Sequence, residues 1–307
     1  MRFKKLQRLS PGDIIRLIAP ASVFQKESFL IARKNLEKLG FIVSYSKNIF
    51  HRYGNFAGKD EIRAQDFMES IEDTKIRALY CIRGGYGSAK IVPYLDSNVI
   101  KKNPKILIGF SDITFLHAYF QKLKIPSFHA PVLLSGFKSP SQEFINEFTS
   151  IFMKNELACV YGDVFTKVMR HGVGEGRVVG GNLSLLISTL GTPYEIDTDN
   201  AILVIEDLDE APYRIDRMLT QLALAGKFTK LHGLIIGEFK NCISKKHYSL
   251  SLKDIVKNIT KDYTFPILYN FPIGHNNKRN RIIILGVRGR MNTHDWSLQY
   301  LELPLRD

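Results

Sequence analysis

The first 136 residues alternate short, almost wholly apolar runs with segments of helical period, and few folds accept that alternation. "DIIRLIAP" reads as a strand. "FQKESFLIARKNLEKLG" follows, with Phe29, Ala32, Leu36 and Leu39 on one helical face, Gly40 as a stop and Ser22 as a candidate cap. "FIVSY" is the next strand, and "GKDEIRAQDFMESIED" sets Ala64, Phe67, Met68 and Ile71 at helical spacing. "RALYCI" is a strand, "GSAKIVPYL" a short helix, "KILIGF" a strand and "DITFLHAYFQKL" a helix. Apolar strands separated by amphipathic helices predict a parallel sheet covered on both faces.

The pattern loosens between about 137 and 170, where "KSPSQ" is turn-like and "EFINEFTSIFMKN" reads as a helix leading away from the first domain. The glycines of "HGVGEGRVVGGNLSLLISTLG" mark entry into new structure. Strands "AILVIE", "LHGLIIGEF", "RIIILGV" and "WSLQYLEL" follow, with helices "YRIDRMLTQLALAG" and "SLKDIVKNITKDY" between them. The expected organisation is α/β: an N-terminal domain over 1–136, a linker over 137–170 and a C-terminal domain over 171–307, with no internal repeat.

Composition narrows the classes. No window approaches the roughly 18 consecutive apolar residues of a membrane span. The basic start "MRFKKLQRLSPGDIIRLIAPAS" is not read as a signal peptide, because Asp13 and Arg16 interrupt its apolar middle. Cys81, Cys159 and Cys242 form neither a disulfide framework nor a zinc spacing, which points to a reducing compartment, the cytoplasm. The net charge is +13, but the cations (Lys4, Lys5, Lys101, Lys102, Lys245, Lys246, Lys278 and Arg279 among them) are scattered. Without a zinc-finger or RNA-recognition signature they read as a solvated basic surface rather than a nucleic-acid interface.

Four features carry candidate chemistry. In "KILIGFSDITFLHAYF", Ser111 ends an apolar strand and starts a helix. It suits an N-cap, and it also lies at the carboxyl end of a parallel sheet, where open α/β folds bind ligands. Gly109-Phe110-Ser111-Asp112-Ile113 does not meet the G-x-S-x-G elbow of α/β-hydrolases. In "CIRGGYGSAK", Gly84, Gly85 and Gly87 fit neither a P-loop nor G-x-G-x-x-G. They are turn chemistry, or bare amides that approach an oxyanion. In "AILVIEDLDEAPYRIDRMLTQL", Glu206 extends the strand itself and needs a partner if buried, whereas Asp209 and Glu210 read as a solvated turn. Of the histidines, His51, His117, His171, His232, His247 and His294 have no evident catalytic setting, His129 is ambiguous, and His275 stands in the polar loop of "NFPIGHNNKRN". No metal motif occurs. Ser111, Glu206 and His275 thus make a candidate nucleophile, acid and base for acyl transfer.

Over nearly its whole length the chain resembles the LD-carboxypeptidase family, serine peptidases of the muramoyl-tetrapeptide carboxypeptidase type. The resemblance rests on "LSPGDIIRLIAPAS", "AGKDEIRAQDF", "IRGGYGS", "ILIGFSDIT", "HAPV", "GGNLSLLISTLGTPY", "LVIEDLDEAPYRIDRMLTQL", "GLIIGEF" and "FPIGH", in this order. It implies a Rossmann-like N-terminal domain carrying Ser111 as nucleophile and a smaller β-rich C-terminal domain carrying Glu206 and His275. It further implies an oxyanion hole from the amides of Gly85 and Asp112, no cofactor, a muropeptide substrate and a homodimer. Members that hydrolyse peptidyl or aminoacyl nucleotides as an immunity device, and a non-catalytic small-anion binder, are the alternatives. The segment after His275 is more basic than in many relatives; Lys278, Arg279 and Arg281 either meet a substrate carboxylate or are surface charge.

Overall fold

The computed structural model describes residues 3–156, 158–243, 249–276 and 278–306; Lys245, Lys246 and His247 lie outside them. The chain forms two compact units. The first comprises 1–158, 281–286 and 303–307, the second 159–280 and 287–302.

The first unit is built on a six-stranded sheet. Its strands run Ile283–Leu285, Ser127–His129, Ile106–Gly109, Ile76–Cys81, Ile14–Ile18 and Ile42–Ser44. All pairs are parallel except Ile283–Leu285 against Ser127–His129. The strand earliest in the chain lies between the next two, so the winding reverses at Ile14–Ile18. Beyond the carboxyl ends of Ile14–Ile18 and Ile76–Cys81, such a sheet opens a crevice. The expected Rossmann-like sheet is thus present. Its helices bury the predicted faces: Phe29, Ala32 and Leu36 in Lys26–Glu37, and Ala64, Phe67 and Ile71 in Asp60–Glu72. Ser22 is not a cap. Gln25 holds that position without a side-chain bond, and the Ser22 hydroxyl instead accepts from the Tyr86 amide at 3.0 Å.

Residues 137–158 do not behave as a linker. Helix Gln142–Thr149, capped by the Ser141 hydroxyl on the Phe144 amide, packs within the first unit. Phe148 is fully buried, stacked on Tyr80 at 6.3 Å and against Phe137 and Phe152 at 5.3 and 4.6 Å. Truncating such a ring leaves a cavity as well as lost burial. Phe148→Ala is therefore expected to destabilise the protein by about 3–5 kcal/mol, read from denaturant unfolding. A loss under about 1 kcal/mol, the size of an ordinary surface change, would restore the linker reading. Strand Ile283–Leu285, the "RIIILGV" run, also joins the first unit rather than the second.

The second unit carries an eight-stranded mixed sheet. The order is Cys159–Tyr161, Ser297–Tyr300, Arg288–Asn292, Val173–Asn182, Ala201–Leu208, Gly233–Lys240, Ile267–Tyr269 and Lys167–Arg170. The four strands from Val173–Asn182 to Ile267–Tyr269 are parallel and the flanking pairs antiparallel. Leu203, Ile205, Leu219, Leu222, Leu234 and Ile236 anchor its core between the central strands and helix Pro212–Leu224. No helix among the described residues is long and apolar enough to cross a membrane.

Candidate active site

Ser111 stands at a strained elbow. The backbone leaves strand Ile106–Gly109 through extended Phe110, and Ser111 then takes φ +62°, a left-handed conformation unusual for any residue but glycine. Phe110, not Ser111, is the N-cap of the turn Ser111–Ile113 that leads into helix Thr114–Lys122. The serine hydroxyl meets no hydrogen-bond partner among the described residues, and the residue is partly exposed. The cap reading of Ser111 therefore fails in detail, while the exposed elbow stands.

The strand below is fixed by His117. This fully buried imidazole lies 2.8 Å from the Gly109 carbonyl and 2.9 Å from the Ser127 hydroxyl. Burial pulls its pKa down to about 4, so it is neutral and structural, as expected. Nε2–H then donates to Gly109 and Nδ1 accepts from Ser127.

The glycine-rich loop presses against the elbow. A Cβ on Gly84 would stand 3.2 Å from the Ser111 Cβ and 3.4 Å from the Asp112 amide. Gly85 takes φ +100°, and a Cβ there would fall 2.4 Å from the Ser22 hydroxyl. The amides of Gly85 and Asp112 donate to no acceptor among the described residues. Behind them the loop is tied to the elbow. The buried Asp112 carboxylate accepts from the Ser88 amide at 2.8 Å, and the Ser88 hydroxyl donates to the Asp112 carbonyl. Burial raises the Asp112 pKa, opposed by the Ser88 and Gly87 amides. Arg63, buried on helix Asp60–Glu72, pairs with Asp60 and donates to the carbonyls of Gly87, Gly58 and Pro20. Sequence reasoning missed Arg63, because an arginine on an amphipathic helix ordinarily faces water.

Glu206 and His275 meet in the second unit. Glu206 is fully buried, and its Oε2 lies 2.8 Å from His275 Nδ1. A register shift between Ile205 and Asp207 against Gly233–Lys240 places the glutamate at a bulge. Gly237 belongs to that bulge because the incoming loop passes over it; a Cβ there would meet the Ile273 carbonyl at 2.6 Å. Gly274, at φ +136°, then turns the chain so that His275 faces Glu206. Lys240 Nζ donates to the His275 carbonyl at 3.0 Å.

The electrostatics suit a base. Burial acts to lower the His275 pKa, but its hydrogen bond to Glu206 and the charges of Glu206 and Asp207 outweigh this and raise it. Asp207 is pushed up to about 6, chiefly by burial and opposed by the Leu208 amide. Its carboxylate accepts from Asn182 and from the Ser184 amide, joining two strands behind the pair.

The two arginines of the basic segment are spent on the fold, whereas the exposed Lys278, among the described residues, bonds only through its backbone amide, to Asn276. Arg279 forms a two-point pair with Asp163 at 2.7 and 2.9 Å and covers Phe165. Arg281 pairs with Glu147 at 2.9 Å and with Glu143 at 3.4 Å. Neither guanidinium is left over for a substrate carboxylate.

Two family models match, the LD-carboxypeptidase N-terminal domain over 15–130 and the C-terminal domain over 175–291. A probable murein peptide carboxypeptidase of Bacillus subtilis is 38% identical over 94% of this chain and 92% of its own. The murein tetrapeptide carboxypeptidase of Pseudomonas aeruginosa is 30% identical over 85% and 87%. A crystal structure of muramoyltetrapeptide carboxypeptidase from Oxalobacter formigenes superposes with a TM-score of 0.82 at 25% identity, covering 94% of this chain and 97% of that one. The microcin C7 self-immunity protein MccF shares the fold, with a TM-score of 0.90 at 22% identity over 99% and 100%.

Proposed function

The chain belongs to the LD-carboxypeptidase family, and from that premise we propose that it releases terminal D-alanine from murein tetrapeptide by cutting the L,D-peptide bond after the diamino acid. The observation that carries the reading is the pairing of buried Glu206 with half-buried His275 at 2.8 Å. His275 Nδ1–H donates to Glu206, which fixes the tautomer and leaves Nε2 as the base. Nε2 takes the Ser111 hydroxyl proton as Oγ attacks the scissile carbonyl. The tetrahedral oxyanion accepts from the Gly85 and Asp112 amides. Collapse expels the D-alanine amine, which leaves with the proton from His275. Water, deprotonated by the same imidazole, then cleaves the acyl-serine and restores the enzyme.

The reading includes a cytoplasmic homodimer that needs neither metal nor cofactor and that engages neither nucleic acid nor membrane. The direct test is to incubate the protein with murein tetrapeptide and measure free D-alanine, with a peptidyl-sulfamoyl adenylate in parallel. Turnover of the adenylate alone would move the protein to the immunity-type activity, and turnover of neither would favour a binding protein.

The oxyanion loop gives a sharper expectation. Gly85→Ala requires a side chain where the Ser22 hydroxyl stands, at a φ that L residues seldom adopt. Losing one oxyanion donor typically costs about 10²–10³ in turnover. Gly85→Ala should lower kcat by about that factor with a smaller change in KM; an unchanged kcat would remove Gly85 from the oxyanion hole.

A further inference from the structure

At the amino-terminal edge of the first unit's sheet lies a cleft of about 210 Å³. Six cations line it: Lys4, Lys5, Arg77, Lys102, Lys105 and Arg306. No carboxylate lines it among the described residues. Some cations elsewhere on the surface are paired, as Arg177 with Asp197, Lys230 with Asp199 and Arg290 with Glu175, and others, such as Lys34 and Lys167, stand singly among the described residues; what sets the cleft apart is that six converge on one concavity. Here the pairing is thin. Lys105 Nζ is spent on the carbonyls of Asp73 and Ile76, and Lys4 Nζ on that of Lys101. Arg77 reaches Gln7 and stands 3.6 Å from Asp13. The exposed side chains of Lys5, Lys102 and Arg306 have no hydrogen bond or ion pair among the described residues.

Like charges gathered in a concavity raise its positive potential and draw counter-ions into it. Lysines act on phosphate as point charges, so cations converging from separate segments suit a ligand dense in negative charge rather than one planar carboxylate. The volume admits a short phosphate chain, not a macromolecule. The cleft is also remote from the elbow. Ile76 and Ile106 in its walls begin the strands that lead to the glycine loop and to Ser111, about 15 Å away at roughly 3.3 Å per residue.

We propose that this cleft is a second ligand site, which binds a compact polyphosphate anion through Lys5, Lys102 and Arg306. Occupancy relieves the mutual repulsion of the cations and stabilises the folded chain by mass action. The phosphate chain is the recognised group, whether it comes from inorganic polyphosphate or from a nucleoside triphosphate.

The test is the thermal midpoint of the full chain, titrated with sodium tripolyphosphate, ATP, inorganic phosphate and sodium chloride at matched ionic strength. Tripolyphosphate should raise the midpoint saturably, and inorganic phosphate and chloride should not. A shift with ATP beyond that with tripolyphosphate assigns the site to nucleotides; an equal shift assigns it to the phosphate chain alone. The triple variant Lys5→Gln, Lys102→Gln, Arg306→Gln should lose the shift while keeping its circular dichroism. As a milder pair, Lys102→Gln should weaken the response and Lys102→Arg retain it. Absence of a shift, an equal shift with matched chloride, or a response retained in the triple variant overturns the proposal.

Discussion

Ser111→Ala should leave the fold intact and lower D-alanine release by about 10⁴-fold or more, the scale on which serine nucleophiles contribute to turnover. The backbone adds a second expectation that a merely structural serine would not share. Holding a non-glycine residue at φ +62° costs of order 1 kcal/mol, and the unpaired hydroxyl returns nothing to stability. Ser111→Gly should therefore melt higher than wild type while being equally inactive, a gain of about 0.5–1 kcal/mol in denaturant unfolding. Full activity in either variant sinks the nucleophile assignment. A Ser111→Gly protein less stable than wild type would show that the elbow is not strained.

Glu206→Gln should cost about 10⁴ in kcat, the size of effect seen when an orienting carboxylate becomes an amide and the imidazole loses its working tautomer. The pH dependence makes the prediction specific. In the proposed mechanism His275 must be neutral to accept the serine proton, and its pKa lies above the ordinary 6.5 because Glu206 and Asp207 outweigh burial. Wild-type kcat/KM should rise with pH through a midpoint above 6.5. In Glu206→Gln that acid limb should move to lower pH, since removing the carboxylate leaves burial, which favours the neutral ring. Stability runs the other way in wild type. The protonated pair stabilises the fold fully below 6.5, and that contribution is lost as pH rises through the raised value. An acid limb that stays in place in the variant would show that Glu206 does not set the base.

The sequence made some of this legible, and the reasons differ by element. Strand Ile106–Gly109, and Ile76–Cys81 beyond Arg77, are apolar on both faces, so their burial and parallel pairing can be inferred locally. Strand Ile283–Leu285 was equally visible as a strand but not as a member of the first unit, because its partner Ser127–His129 is remote in the chain. Lys167–Arg170 and Arg288–Asn292 have no such signal; both are short antiparallel strands with a charged residue at one or more positions, whose stability comes from their neighbours. At the site, Glu206 was found because a charge that prolongs an apolar strand must be answered. The bulge that aims it had one local sign, Gly237 inside "LIIGEF". The left-handed backbone of Ser111 had none, since serine carries no conformational signature, and the carbonyl-binding role of Arg63 appears only once the loops of Gly58 and Gly87 are in place.

The first unit is discontinuous: the second is inserted after residue 158, and the chain returns at 281–286 and 303–307. Its two-stranded ribbon pairs Leu6 with Leu305, and its antiparallel sheet edge pairs His129 with Ile283. During synthesis these partners emerge far apart in time. The unit that carries Ser111 therefore keeps a sheet edge unpaired until residues 281–286 are available to it. Closing contacts of such long sequence separation is slow, and an open edge invites pairing with other chains meanwhile. A chain that ends shortly before residue 281 lacks the last strand of Ser111's sheet and, in the second unit, strands Arg288–Asn292 and Ser297–Tyr300 as well. Vectorial synthesis thus delivers Ser111 early and completes the sheet that carries it late.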